Sequence, residues 1–175
     1  MKINPIIEYM NFCPCGSQLD YTACCGILID QGGKPATPEA LMRSRYTAYT
    51  KANIAYIVKT MRGKPLAHFN ESDAKEWAEQ ADWLGLEVLE ATFPCKKSNQ
   101  GFVEFIARYH QSGLIKSIHE RSEFLLDEGQ WYYIDSHLPQ HTRPAKTQRM
   151  SQNTACFCGS LKKYKNCHGR KTAGK

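Results

Sequence analysis

A cysteine-rich motif occurs twice in the chain, once near each end. Residues 13–26 read CPCGSQLDYTACCG and residues 156–169 read CFCGSLKKYKNCHG, so the two copies align without a gap. Both copies have the form C-x-C-G-S-x3-Y-x2-C-[CH]-G. A pattern this specific, present twice, predicts that the chain builds the same small unit at both ends.

One difference between the two copies indicates their chemistry. His168 stands where the first copy has Cys25. Imidazole and thiolate both bind zinc, whereas a histidine cannot take part in a disulfide. The Cα atoms of the adjacent Cys24 and Cys25 are about 3.8 Å apart across a trans peptide, below the usual disulfide range of about 4.4–6.8 Å. The repeats therefore predict metal binding, and the tight C-x-C spacing leaves iron–sulfur ligation or a redox pair as the alternative.

Each copy supplies four ligands, the number that a closed structural zinc site requires, with no position left for water or substrate. We therefore predict two structural zinc ions per chain. The predicted ligands are Cys13, Cys15, Cys24 and Cys25 in the first site, and Cys156, Cys158, Cys167 and His168 in the second. Ordering so short a segment costs roughly 20 kcal/mol of conformational entropy. Structural zinc contributes about 10–16 kcal/mol, so each unit should fold only with its metal.

These residues resemble the SEC-C motif, a zinc knuckle at the C-terminus of the preprotein translocase motor, where it docks an export chaperone and the ribosome. One such knuckle at each end of a chain of 175 residues resembles the YchJ-like family of bacterial proteins. The resemblance implies a middle domain of the nuclear transport factor 2-like (NTF2-like) fold. It also implies protein interaction as the role of the knuckles.

The middle of the chain independently predicts helices followed by strands. The predicted helices run from Pro38 to about Thr50, from the cap Asn53 through Met61, and, with Ser72 as its cap, from Asp73 to Leu84. The predicted strands, separated by short polar turns, are 86–93, 102–110, 114–126 and 131–137. Short connections make antiparallel neighbours, so this order predicts an α+β fold with helices on one face of a curved sheet. Such a cone, with a zinc knuckle at each end, is the predicted architecture.

The predicted divisions follow from these patterns. We expect an N-terminal zinc knuckle over 1–30, an NTF2-like domain over 36–138, a basic linker over 139–152 and a C-terminal zinc knuckle over 153–175.

A cone of this kind often encloses a cavity, and several polar strand residues are candidates to line it. They are His119, Arg121 and Glu123 at alternate positions of one strand, and Tyr133 and Asp135 on the next. Alternate strand positions share a face. The alternative is that they face solvent or pair with one another. No motif of a nucleophile, phosphate loop or dinucleotide site occurs, so we predict no catalytic residue and no organic cofactor.

Two further interpretations of the middle domain depend on helical spacing. Met42, Tyr46 and Tyr49 recur at helical intervals and are predicted to be core residues. Arg43 and Arg45 either lie in solvent or pair with strand carboxylates, and the sequence leaves this choice open.

Charge is distributed unevenly along the chain. Residues 138–175 contain no Asp or Glu and carry a charge of +9. Because the whole chain has a net charge of +6, the remaining residues together carry −3. Lys162, Lys163 and Lys165 lie inside the second motif. This asymmetry predicts either an acidic partner or docking on an acidic part of the same chain. Nucleic acid, as RNA or the ribosome, is an alternative partner for the basic region.

The chain has neither an apolar run long enough to span a membrane nor the apolar start of an export signal, which predicts a cytoplasmic protein. Together these observations predict a zinc-binding, non-enzymatic docking protein of the bacterial cytoplasm. The resemblance to the SEC-C motif implies a partner protein of the secretion, chaperone or ribosome machinery. A small-molecule enzyme or carrier that uses the cavity is the alternative.

Overall fold

A computed structural model describes residues 11–92, 99–140, 148–149, 151, 153 and 162–166. The four predicted ligands of the second zinc site, Cys156, Cys158, Cys167 and His168, lie outside these residues.

Five α-helices precede the sheet in the described part of the chain. They are Cys25–Ile29 (α1), Pro38–Thr50 (α2), Ile54–Lys59 (α3), Lys64–Ala67 (α4) and Glu71–Gln80 (α5). Helix α2 begins where predicted, because the Thr37 hydroxyl accepts a hydrogen bond from the Ala40 amide at 3.0 Å. The Asn53 side chain caps α3 in the same way through the Tyr56 amide at 3.1 Å.

The predicted bounds of the third helix are wrong at both ends. Its cap is Asn70, whose side-chain Oδ1 accepts hydrogen bonds from the amides of Ser72 and Asp73, so α5 begins two residues earlier than predicted. The helix ends at Gln80 because the residues from Asp82 onward pair with the neighbouring strand.

Four long antiparallel strands form the sheet in the order β1–β2–β3–β4, as the short turns predict. They are Asp82–Thr92 (β1), Gln100–Gln111 (β2), Leu114–Asp127 (β3) and Gln130–His137 (β4). A two-residue strand, Gln148–Arg149 (β5), pairs with the first residues of β3. None of the described helices has the length and apolar character that a membrane-spanning segment requires.

The main core lies between α2 and one face of the sheet, which we call the inner face. Its buried members are Leu41, Met42, Tyr46, Val103, Phe105, Ala107, Phe124 and Trp131. Two of the three α2 residues predicted as core, Met42 and Tyr46, are therefore buried there, whereas Tyr49 is half-buried and packs against a second buried cluster that includes Tyr56 and Ile57. The predicted α+β architecture, helices on one face of an antiparallel NTF2-like sheet, is confirmed.

The C-terminal segment contacts the opposite, outer face of the sheet. The Gln140 amide donates to the buried Glu104 carboxylate at 3.1 Å. Further along the chain, the Tyr164 hydroxyl lies 2.6 Å from Nε2 of His110, whose Nδ1 lies 3.1 Å from the Asp82 carboxylate. Part of the acid-free C-terminal region therefore contacts Glu104 and His110 on the outer face of its own sheet.

Candidate functional site

The side chains of Cys13, Cys15, Cys24 and Cys25 meet in one cluster, with their sulfur atoms all within 4.8 Å of one another. Cys24 is half-buried and the other three are buried, and none of the four forms a disulfide. The sulfur of Cys24 lies 3.6 Å from that of Cys15 and 4.0 Å from that of Cys25. Four sulfurs bound to zinc at about 2.3 Å would be about 3.8 Å apart in a tetrahedron. The cluster therefore has the donor set and the spacing of a metal site.

Glycines and a short 3₁₀ turn shape this cluster. Gly16 follows the C-x-C pair with a φ of +80°, a left-handed conformation that favours glycine, and its amide donates to the Cys13 carbonyl at 3.2 Å. The 3₁₀ turn Tyr21–Ala23 then carries the chain back to the second pair of cysteines. A Cβ at Gly26 would lie 2.8 Å from the Tyr21 carbonyl oxygen, so a larger residue cannot fit there without a shift.

Groups outside the ligand set hold the cysteines in place. The Ser17 hydroxyl lies 3.2 Å from the Cys24 sulfur, and the buried Thr47 hydroxyl of α2 lies 3.8 Å from the Cys13 sulfur. Arg43, also on α2, donates through Nη1 to the Cys15 carbonyl at 2.9 Å and pairs with Glu39. Arg43 therefore contacts the knuckle and a carboxylate of its own helix, and among the described residues it does not pair with a strand carboxylate.

Hydrogen bonding between thiols makes the cluster electrostatically uneven. A hydrogen bond from Cys25 lowers the pKa of Cys15 to about 4 and raises the pKa of Cys25 itself. Burial raises the pKa of Cys24. Without a cation, a negative charge at Cys15 thus disfavours ionisation of its neighbours. A bound cation relieves this repulsion, because metal ligation takes the thiolate form.

The described part of the second motif has the same local structure as the first. Its 3₁₀ turn, Tyr164–Asn166, begins at the repeat position that Tyr21 occupies in the first copy. Both tyrosines are buried. The neighbouring Lys162, Lys163 and Lys165 are exposed.

A cavity of about 310 Å³ lies between the helices and the inner face of the sheet. Most of its lining side chains are aromatic or aliphatic, among them Tyr46, Trp77, Trp83 and Phe105. The polar strand residues in its lining are Glu120, Ser122 and Tyr133.

Of the five strand residues considered for this cavity, Tyr133 alone lines it. His119 lies 2.8 Å from the Glu104 carboxylate, and Glu123 lies 2.7 Å from His137. The Arg121 guanidinium lies over the Phe102 ring at 3.9 Å. On β3, Ile118, Glu120, Ser122 and Phe124 thus line the cavity, whereas the intervening His119, Arg121 and Glu123 face outward.

Asp135 is absent from the cavity lining because of an irregularity in the pairing of β3 with β4. Phe124 pairs with Tyr133, whereas the preceding Glu123 pairs with Asp135. The extra residue, Ile134, places Tyr133 and Asp135 on opposite faces although they are two positions apart. The expectation that these two side chains share a face is wrong.

Two family descriptions match the chain. Residues 37–136 match the family described as YchJ, middle NTF2-like domain, and residues 153–170 match the SEC-C motif. A UPF0225 protein from Geobacter sulfurreducens is 42% identical over 161 residues, covering 91% of this chain and 98% of the relative. A UPF0225 protein from Serratia proteamaculans is 42% identical over 167 residues, covering 90% and 97%.

Two solved structures of SEC-C motif containing proteins are also similar. The solution structure of RPA3114 from Rhodopseudomonas palustris has a TM-score of 0.66 at 39% identity, covering 74% of this chain and 99% of that one. A crystal structure from Psychrobacter arcticus has a TM-score of 0.63 at 29% identity, covering 91% and 96%. The chain therefore belongs to the UPF0225 family, combining a YchJ-type NTF2-like middle domain with a SEC-C motif.

Proposed function

We propose that this chain is a zinc-dependent docking protein of the bacterial cytoplasm, in which an NTF2-like body presents knuckles that bind other proteins. The observation that carries the proposal is the four-cysteine cluster, in which three of the four cysteines are buried. Apolar side chains elsewhere on the same knuckle are exposed to solvent. A structural metal can hold such a small unit in one conformation although the unit has no large hydrophobic core.

The proposed metal is zinc, with two ions per chain. In the first site Cys13, Cys15, Cys24 and Cys25 would hold the ion, and its contribution is structural, because four thiolates leave no open position. The second site, with the ligand set predicted from the sequence, would order the C-terminal knuckle in the same way. Cysteine metal sites persist in a reducing compartment, which supports the cytoplasmic location.

The surface of the first knuckle is apolar and acidic. Phe12, Leu19 and Ile27 are 46%, 53% and 42% exposed, and all three lie within the knuckle. Several exposed apolar side chains on one small unit are a feature of protein interaction sites. The knuckle also carries Asp20, and a zinc ion with four thiolates has a local charge of about −2. We therefore propose a partner segment that combines apolar and basic residues.

The second knuckle presents the opposite charge, so the two knuckles are proposed to meet different surfaces. Its exposed lysines would contact an acidic protein surface. Partners in the secretion, chaperone or ribosome machinery, which resemblance to the SEC-C motif implies, fit this proposal. An enzyme that uses His119 and Asp135 as an acid–base pair is not supported, because neither side chain lines the cavity.

Elemental analysis of protein purified without added metal tests the zinc proposal. We expect about two zinc equivalents per chain, and about one after Cys15→Ser and Cys24→Ser are combined. Stoichiometric iron would overturn the zinc proposal, and so would disulfides among these cysteines in protein purified under reducing conditions.

An array of immobilised peptides tests the docking surface. We expect peptides with alternating apolar and basic residues to bind, and peptides with acidic residues in place of the basic ones not to bind. Leu19→Ser should reduce the signal, whereas Leu66→Ser, a matched control on α4 with a side chain 40% exposed, should not. Equal binding of both peptide sets, or equal effects of the two substitutions, would contradict the proposed partner.

A further inference from the structure

The cavity on the inner face contains a buried guanidinium with unused donors. Arg45 of α2 is 8% exposed and lines the cavity. Its Nη1 donates to the Ile57 carbonyl and to the Thr60 hydroxyl, both at 2.8 Å. Among the described residues, its Nε and Nη2 form no hydrogen bond to an acceptor. An arginine stays charged in proteins, so these N–H groups favour an acceptor that enters the cavity.

A carboxylate lines the same cavity. Glu120 of β3 accepts hydrogen bonds from the Ser122 hydroxyl at 2.6 Å and from the Tyr133 hydroxyl at 3.3 Å. Both bonds end on Oε1, and within the described ranges no donor reaches Oε2. The cavity therefore offers an anionic oxygen as well as cationic donors.

Tyr133 contacts both of these charged groups. The Arg45 guanidinium carbon is 4.8 Å from the centre of the Tyr133 ring, while the hydroxyl of that ring donates to Glu120. Arg45 and Glu120 are not among the ion pairs of the described residues. Each charge therefore has a direction from which an opposite charge can approach.

The remaining walls provide aromatic surface. The Trp77 and Trp83 rings meet edge to face with centroids 5.0 Å apart, and Tyr49 approaches Trp77 at 5.5 Å in the same geometry. All three residues line the cavity. Pockets with apolar walls and a few converging polar groups bind small molecules, and about 310 Å³ suits a small one.

The charges of Arg45 and Glu120 cancel, so a ligand with a single charge would give the apolar cavity a net charge. A ligand that carries one positive and one negative charge would not. Burying an uncompensated charge is costly, and pairing it offsets that cost. We propose that the cavity binds a small aromatic zwitterion of the chemistry of an aromatic α-amino acid, its carboxylate on Arg45, its ammonium on Glu120 and its ring against Trp77 and Trp83.

Three probes with the same ring test the charge requirement. They are L-phenylalanine, 3-phenylpropionate, which lacks the ammonium group, and 2-phenylethylamine, which lacks the carboxylate. Isothermal titration of the full-length zinc-loaded protein should show phenylalanine binding at least about tenfold more tightly than either of the others, because each lacks one buried ion pair. Stronger binding of the anion or of the amine, or no binding of any of the three, would overturn the proposal.

Glu120→Gln tests the assignment of the ammonium site with little change of shape. It should weaken phenylalanine binding at least about tenfold and leave phenylpropionate binding no weaker than before. Glu123→Gln is the matched control, because Glu123 lies on the same strand and pairs with His137 on the outer face. Equal phenylalanine affinities of the two variants would contradict the assignment, and heat denaturation of both excludes a folding defect as the cause of a loss.

Discussion

Ser17 contributes to the candidate metal centre although it is not a ligand. Its hydroxyl, 3.2 Å from the Cys24 sulfur, donates to a thiolate once the metal is bound. We expect Ser17→Ala to lower zinc affinity about 10–100-fold, the usual effect of removing a hydrogen bond to a ligand. Competition with a chromophoric chelator measures this change.

Thr22→Ala is the control for Ser17→Ala. The Thr22 hydroxyl lies in the same knuckle but donates to Asp20 at 2.6 Å and not to a sulfur. Its removal should leave zinc affinity within about twofold of the starting value, since exposed polar contacts contribute little. An equal loss in both variants would show that Ser17 acts through general stability of the knuckle.

Sequence reasoning reached some of these residues and not others, for a physical reason. Cysteine spacing is a local feature, so a single motif predicts the four ligands together, whereas the role of Ser17 follows from its contact with the Cys24 sulfur. Thr47 and Arg43 contact residues 34 and 28 positions away, and only the packing of α2 against the knuckle brings them there. No local pattern carries that information.

The cavity residues show the same limit at the scale of one residue. Arg45 follows Arg43 by two positions, so helical geometry directs the two side chains to different faces, but the sequence does not say which face is buried. The bulge at Ile134 turned Asp135 away from the cavity, and an extra residue in a strand leaves no clear mark on the alternation of polar and apolar residues.

Within the described residues, the 3₁₀ turn at the repeated tyrosine contacts the outer face of the sheet. The Tyr164 hydroxyl contacts His110, which in turn contacts Asp82. We expect Tyr164→Phe to lower the free energy of docking by about 1–3 kcal/mol, because it leaves a buried imidazole nitrogen without this partner. Faster hydrogen exchange in β5 and in residues 162–166, with β2 unchanged, would show it.

Tyr132→Phe serves as the matched change for this element. Its ring is covered by the Arg62 guanidinium at 3.8 Å, a contact that the phenylalanine ring retains. Exchange in β5 should therefore stay the same. Unaltered exchange in the Tyr164→Phe protein as well would show that other contacts hold the C-terminal segment in place.

Most elements of the middle domain were predictable because their end signals are local. Thr37 and Asn53 cap α2 and α3 through their own side chains, and short polar turns separate the strands. The end of α5 was not predictable in this way. Residues 82–84 fit a helical stripe equally well, and pairing with β2 decided in favour of the strand.

At the scale of the whole molecule, removing the metal should separate the knuckles from the body. We expect a strong chelator to abolish amide protection in residues 11–26 and 162–166, because the buried core of the first knuckle consists of Cys13, Cys15, Cys25 and Tyr21 and depends on the metal. The sheet and α2, with their own core, should keep most of their protection. Hydrogen exchange with and without chelator locates the change. Loss of protection throughout the sheet would show that the knuckles are integral to the core.

Neutralising Lys162, Lys163 and Lys165 together should weaken the main macromolecular interaction more than His119→Ala or Asp135→Ala does. Each exposed cation contributes up to about 1 kcal/mol, so the triple change is the appropriate test, and its effect should shrink at high salt. Quantitative capture of the same partner at two salt concentrations measures it. A triple variant that retains zinc and full binding would contradict the role of these lysines.

Helix α2 connects the two sites through its opposite sides. Arg43 and Thr47, one turn apart, contact the first knuckle, whereas Arg45 and Tyr49, also one turn apart, line the cavity. Thermodynamic linkage then imposes a symmetry: any factor by which bound zinc changes the affinity of a cavity ligand is also the factor by which that ligand changes the affinity for zinc. A molecule that binds Arg45 more tightly in the zinc-loaded chain would therefore strengthen zinc binding by the same factor when cellular zinc is scarce.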